Sequence, residues 1–276
     1  MTTIETGTTD LLAEVSDGVA VLTMNRPERR NALSEAMLVA MDKTLARCEV
    51  DDDVRCVVLT GAGGGFCAGG DVKGMNERPG GAAGASSGAG VDAAIQRQRL
   101  SQRATSGRLF EMAKPTIAAI SGPAAGAGLA LALACDLRYA VEGTVLTTAF
   151  ARIGLSGDYG GTWFLTQLVG PARAKELYYF SEKLDADEAA TLGLVNEVFP
   201  FDTFDTEVMN RARHLAAGPT LAYRYMKENI NRSVAGDLNQ CMDLEVTHHS
   251  HTALTVDHRE ATQAFVDKRE PEFKGR

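Results

Sequence analysis

Between Pro115 and Cys135 the chain runs for 21 residues without a charged side chain. Counted as a helix, that length would cross a membrane. Its middle holds Ser121-Gly122-Pro123, however, and such breakers divide it into a strand, "PTIAAIS", and a helix, "GAGLALALACD". Elements this apolar must be covered on every side, which calls for a large core. A chain of 276 residues with 45% hydrophobic side chains is long enough to provide one. No membrane partner is expected.

The remaining elements alternate around that pair. "LLAEVSDGVAVLTMNRP" places two apolar runs about Asp17-Gly18, the signature of a tight hairpin. Leu33, Met37, Met41 and Leu45 recur every four residues and predict an amphipathic helix, followed by the apolar strand "RCVVLTGAG". Residues 78–94 are low in complexity and are read as a flexible surface insertion, with a helix resuming near Gln96. "LRYAV", "TVLTTAF" and "LVNEVFP" are further strands, and the chain beyond "GGTWFLTQLVG" is mainly helical, with a long stretch from about Asp205 to Asn231. Strands alternating with helices predict an α/β domain with parallel pairing.

Charge excludes one class of partner. The formal net charge is −8 and no basic stripe is present, so nucleic acid is not expected to bind. The five cysteines are odd in number and contain no CxxC, the pattern of reduced thiols in a cytoplasmic protein, with no disulfide framework or metal site. The start "MTTIETGTTD" lacks the basic and apolar regions of a signal peptide.

Two glycine-rich loops follow apolar strands: "GAGGGFCAGGDVKGM" (61–75) and "SGPAAGAGLALALACD" (121–136). Loops of this kind leave backbone N–H groups uncovered, and a helix N-terminus adds partial positive charge, so an oxyanion can be held without a cationic side chain. Gly63-x-Gly65-x-x-Ala68 loosely fits a dinucleotide fingerprint, but the match follows from composition. Close helix–strand packing is the plain alternative.

The ordered segments "NRPERRNAL", "FCAGGDVKGM", "ISGPAAGAGLALALACDLRYA", "GGTWFLTQLVGPARAKEL", "ADEAATLGLVNEVFP" and "EATQAFVDKREPEF" resemble the enoyl-CoA hydratase/isomerase family, the crotonases, over nearly the whole chain. The resemblance implies an α/β crotonase-like spiral of ββα units over 1–200 and a helical C-terminal region over 201–276 that builds homotrimers or homohexamers. It implies an acyl-CoA thioester as substrate, with coenzyme A part of that substrate and no separate cofactor. The thioester oxygen would lie between the N–H groups of Gly70 and Ala127, where the family usually has glycine at the second position. Ala68, Gly70, Asp71, Val72 and Lys73 match the segment that contacts coenzyme A, and Arg29 or Arg30 would meet its phosphates.

Hydration of an enoyl thioester needs one group to activate water and another to deliver a proton. The two glutamates that family hydratases use fall at Ala130 and Phe150, and neither can move a proton. Asp158, in "GLSGDYGGTWF", stands where isomerase and dehalogenase branches place an acid, and one carboxylate suffices to shift a proton along an acyl chain. Phe150, Tyr159 and Trp163 are candidates to line an acyl pocket. The dehalogenase branch would need a helper histidine, and none precedes His214.

Three alternatives accompany the isomerase expectation: a β-oxidation hydratase recruiting Asp158 and water, a catalytically silent acyl-CoA-binding module, and, more distantly, an NAD-dependent oxidoreductase. The silent module is favoured if Asp158 merely caps the helix beginning near Gly160. His248, His249 and His251 are split between helix faces by their spacing, so they do not predict a metal site.

Overall fold

The computed structural model describes residues 1–71 and 88–276. The Asp17-Gly18 turn sets its N-terminal geometry. Both residues have positive φ (54° and 76°), the conformation that matches the twist of a tight hairpin. Strands β2 (Leu11–Ser16) and β3 (Val19–Met24) therefore pair antiparallel, Ser16 opposite Val19 and Leu11 opposite Met24. β1 (Thr2–Thr3) extends that edge.

In the large sheet the pairing from β3 onward is parallel. β4 (Cys56–Gly61), β5 (Thr116–Ile120), β7 (Leu137–Val141) and β10 (Glu197–Phe199) complete a seven-stranded sheet in the order β1-β2-β3-β4-β5-β7-β10. A second sheet, of three short strands, joins β6 (Ala124–Ala125), β8 (Val145–Thr147) and β9 (Leu184–Asp185).

The large sheet is covered on both faces, as parallel strands require. Val57, Leu59, Ala118 and Ile120 face one core, with Met37, Met41 and Leu45 of α1 (Glu35–Val50). Cys56, Val58, Ile117 and Ala119 alternate with them and face a second core, closed by Phe204, Val208, Ala212 and Ala216 of α7 (Phe204–Ala217). The helical C-terminal part thus begins inside the folded core. The uncharged run divides as its breakers predict, into β5 and the wholly buried helix α4 (Ala127–Ala134).

Helix α2 runs from Gly88 to Gln102. It begins earlier than Gln96, because extending an established helix through alanine-rich sequence is easier than nucleating one. The predicted flexible insertion is corrected over 88–94, and 78–87 lie outside the described residues. A five-residue π-helical segment, Arg103–Gly107, and the short α3 (Arg108–Glu111) lead into β5.

After β8, helix α5 (Gly161–Phe180) is kinked where Gly170 takes φ 74° before Pro171. A capping box between Asp185 and Glu188 starts α6 (Ala186–Thr191). The stretch from Asp205 to Asn231 is two helices, α7 and α8 (Thr220–Ser233), because Gly218-Pro219 interrupts it. α9 (Leu238–Thr252) and α10 (Val256–Asp267) follow.

Helix α8 buries none of its side chains completely and is held by polar contacts. Lys227 Nζ lies 2.9 Å from Asp136 Oδ2 and donates to the carbonyls of Leu109 and Lys114. Asn231 donates to the Phe110 carbonyl at 2.9 Å.

Candidate active site

Strands β4 and β5 are parallel neighbours, so the loops that leave their C-terminal ends emerge side by side. They touch: a Cβ added to Gly122 would stand 2.0 Å from the Gly64 carbonyl oxygen. The Cys67 carbonyl accepts from Ala125 N–H at 2.9 Å, and Cys67 N–H donates to the Pro123 carbonyl at 3.2 Å. A Cβ on Gly69 would lie 3.3 Å from Ala127 N, and one on Gly128 would lie 2.4 Å from Cys67 O. Glycine is required at both positions because two backbones meet there.

This contact fixes the backbone around Gly70 and Ala127. Leu33 N–H donates to Gly69 O at 2.8 Å in a parallel bridge centred on Leu33 and Gly70. Such a bridge engages the peptide groups on either side of Gly70, leaving Gly70 N–H directed away from Leu33. Ala127 is the first residue of α4, where an N–H has no partner within the helix. Its N-cap, Gly126, holds φ 55° and contributes no side chain.

Asn31 fixes the first loop. It is wholly buried, and its amide donates to the carbonyls of Ala62 and Gly65, each at 2.8 Å, while its Oδ1 accepts from Arg26 N–H at 2.9 Å. Ala68 is exposed, and its N–H donates to the Arg30 carbonyl at 2.9 Å. Arg30 is exposed and Arg29 half-buried at the end of a short 3₁₀ turn. Asp71 is engaged by Arg26 at 3.0 Å, so its carboxylate neutralises a protein cation. Val72 and Lys73 lie outside the described residues.

Asp158 lies in the turn before α5, where Gly157, Tyr159 and Gly160 hold φ of 115°, 50° and 76°. A positive φ is unusual for tyrosine. Neighbours on α2 accommodate it: Gln102 Oε1 accepts from Tyr159 N–H at 3.1 Å, and Ser101 lies 3.4 Å from the phenol oxygen. The capping alternative for Asp158 is overturned. Gly160 is the N-cap of α5, and no side chain bonds the helix start. Asp158 Oδ1 is buried and has no hydrogen-bond partner among the described residues. Burial alone pushes the carboxyl up to about 6, since an unpartnered charge is disfavoured away from water.

Around this acid the structure gathers part of the predicted lining. Tyr159 and Phe150 are buried, and Phe150 stacks on Tyr178 with ring centres 5.8 Å apart. Ala130 packs near the start of α5, 3.0 Å from where a Gly161 Cβ would be. Trp163 is placed elsewhere: it is 41% exposed, and its ring meets Phe110 and Phe164 at 5.2 and 5.3 Å. Successive residues on a helix point in different directions, so Trp163 leaves the face that Asp158 approaches. Asn31, Gln102 and Tyr178 were not singled out by the sequence. Their partners lie dozens of residues away, or on the far side of a helix kink.

Among the described residues no group of histidine, cysteine and carboxylate side chains is arranged to hold a metal. His248 instead pairs with Asn229 at 2.6 Å. No described helix is long and apolar enough to cross a membrane.

Residues 14–276 match the family model described as enoyl-CoA hydratase/isomerase. The chain belongs to that family. It is 37% identical to a 1,2-epoxyphenylacetyl-CoA isomerase of Escherichia coli K12 over 266 residues, covering 96% of this chain and 98% of the relative. Identity to a probable enoyl-CoA hydratase of Rhodobacter capsulatus is also 37%, over 95% and 97% of the two chains. Among solved structures, an enoyl-CoA hydratase from Bacillus anthracis superposes with a TM-score of 0.88 at 31% identity, over 97% of this chain and all of the other. The fold is the crotonase fold that the sequence resemblance implies. This enoyl-CoA hydratase/isomerase family enzyme has alanine and phenylalanine, Ala130 and Phe150, where the sequence pattern places the two hydratase glutamates, and a desolvated Asp158 in the turn before α5.

Proposed function

We propose that the protein moves a proton, and with it a double bond, within an unsaturated or ring-bearing acyl-CoA. The observation that carries this reading is Asp158: a carboxylate with a buried oxygen that has no partner among the described residues, in a turn where its side chain caps no helix. An acid raised to about 6 is deprotonated at neutral pH yet basic enough to take a proton from carbon beside a thioester.

In the proposed reaction Asp158 removes a proton from one carbon of the acyl chain. The electron pair moves onto the thioester oxygen, giving an enolate, or a dienolate where the chain is conjugated. The N–H groups of Gly70 and Ala127 hold that oxygen, donors fixed before reaction that lower the barrier by several kcal/mol, on the order of 3 for each well-placed donor. Asp158 then returns the proton to a different carbon. No water is consumed and no second acid is required. Arg29 and Arg30 stand at the loop edge as candidates for the phosphates of the coenzyme, and the assembly is proposed to be a homotrimer or homohexamer.

Solvent deuterium exchange at the acyl carbons of a panel of CoA thioesters tests the reading. Exchange or double-bond migration is expected with the native protein and lost in Asp158→Asn. Addition of water to an enoyl thioester, in place of migration, would establish the hydratase alternative. Tight binding of the esters without exchange in either protein would overturn both and leave a binding module.

A further inference from the structure

Tyr178 lies about two turns beyond the kink of α5 at Gly170, yet its ring folds back to the turn that carries Asp158. A Cβ built on Gly157 would stand 3.0 Å from Tyr178 Cε1 and 3.4 Å from its hydroxyl. One built on Gly161 would stand 2.8 Å from the same hydroxyl and 3.0 Å from Ala130 Cβ. The phenol oxygen therefore sits between the two glycines that bracket Asp158, and beside the alanine that replaces an acid. Stacking on Phe150 at an interplanar angle of 5° fixes the plane of the ring.

Two polar groups in this confined turn lack partners among the described residues. Asp158 Oδ1 is buried and accepts no hydrogen bond, and no hydrogen bond is made by the half-buried Tyr178 hydroxyl. One is an acceptor and the other a donor. A desolvated carboxylate gains most from a charge-assisted O–H bond, and a half-buried phenol has few competing water partners.

We infer that Tyr178 is a positioning residue for Asp158: its O–H is the donor that orients and stabilises the carboxylate in the charged form. The role rests on the proposed use of Asp158 as the proton carrier, although the pairing itself can be tested without turnover. Burial above all, and then the nearby Asp158 charge, push the phenol above its ordinary range, so the tyrosine keeps the proton it donates throughout the working pH range. The glycines at 157 and 160 give the turn freedom to bring the carboxylate the remaining distance.

The test is Tyr178→Phe, which keeps the ring against Phe150 and Gly157 and removes only the hydroxyl. In protein carrying ¹³C-carboxyl aspartate, the Asp158 resonance is titrated in native and variant chains, with Asp158→Asn to assign it. Loss of the donor is expected to move the Asp158 midpoint to higher pH by about one pH unit, a ten-fold change in proton affinity. Deuterium exchange into an acyl-CoA should then fall about ten-fold below the midpoint, with little change in KM and a plateau at high pH within about two-fold of native. An unchanged Asp158 midpoint in Tyr178→Phe would overturn the inference, whatever the reaction proves to be. Persistence of exchange in Asp158→Asn would overturn the function proposed above while leaving the titration to judge the pairing.

Discussion

The buried amide of Asn31 donates to the carbonyl of Gly65 at 2.8 Å, tying the residue that ends the "NRPERRN" segment to the loop leading to Gly70. A second bond, to Ala62, spans the start of the same loop. The loop leading to Gly70 thus takes its position from a side chain more than thirty residues earlier in the chain.

Asn31→Ala removes the donor and deprives two half-buried carbonyls of their partner, at about 1–3 kcal/mol each. The φ of 55° at this position adds further strain for alanine. A fall in melting temperature of roughly 6–12 °C is expected by scanning calorimetry. Asn31→Asp should do no better, since a carboxylate cannot donate to either carbonyl.

Gly128→Ala places a methyl group 2.4 Å from Cys67 O and 2.8 Å from its sulfur. Overpacking of this kind costs about 1–3 kcal/mol and is relieved here by pushing the first loop away from α4. The rate of deuterium exchange should fall at least ten-fold, measured beside a melting curve that shows the protein still folded at assay temperature.

The exchange rate should depend on the protonation of Asp158. A base must be deprotonated to act, and this carboxyl is raised to about 6. The rate is therefore expected to rise with pH through about 6 and level off above it, and a pH profile of kcat/KM reads the midpoint directly.

Stability should run the other way. An acid whose folded value is raised above its ordinary value of 3.8 destabilises the native state once it ionises, and the penalty grows as pH rises from about 4 through about 6. Asp158→Asn removes that penalty. The variant is expected to melt about 2–4 °C above native at pH 8, the shift that about 1 kcal/mol produces, with the difference vanishing below pH 4. Equal melting temperatures at pH 8 would contradict the desolvation of this carboxylate.

Lys227→Met strips the cation from Asp136, whose carboxyl burial already pushes upward against the influence of Lys227. Breaking a buried pair on one side costs about 3–5 kcal/mol. Adding Asp136→Asn should recover part of that loss, because no buried charge then remains, and denaturant unfolding of the two variants checks the order.

Much of the fold is legible in local pattern. Asp17-Gly18 specifies its hairpin through the φ values that the two residues adopt, and the four-residue spacing of Met37, Met41 and Leu45 specifies the buried face of α1. The uncharged run splits at Ser121-Gly122-Pro123 because a strand and a helix cannot be continuous through those residues. Motif order reaches the family, and with it Gly70, Ala127 and Asp158 as candidates. Tertiary structure decides what local sequence cannot encode: which groups meet. Asn31 finds carbonyls across the sheet edge, Tyr178 returns over a helix kink to the Asp158 turn, and Trp163 turns away to Phe110. Asp158 differs from an ordinary turn aspartate through the desolvation that its surroundings impose, and desolvation belongs to the folded chain as a whole.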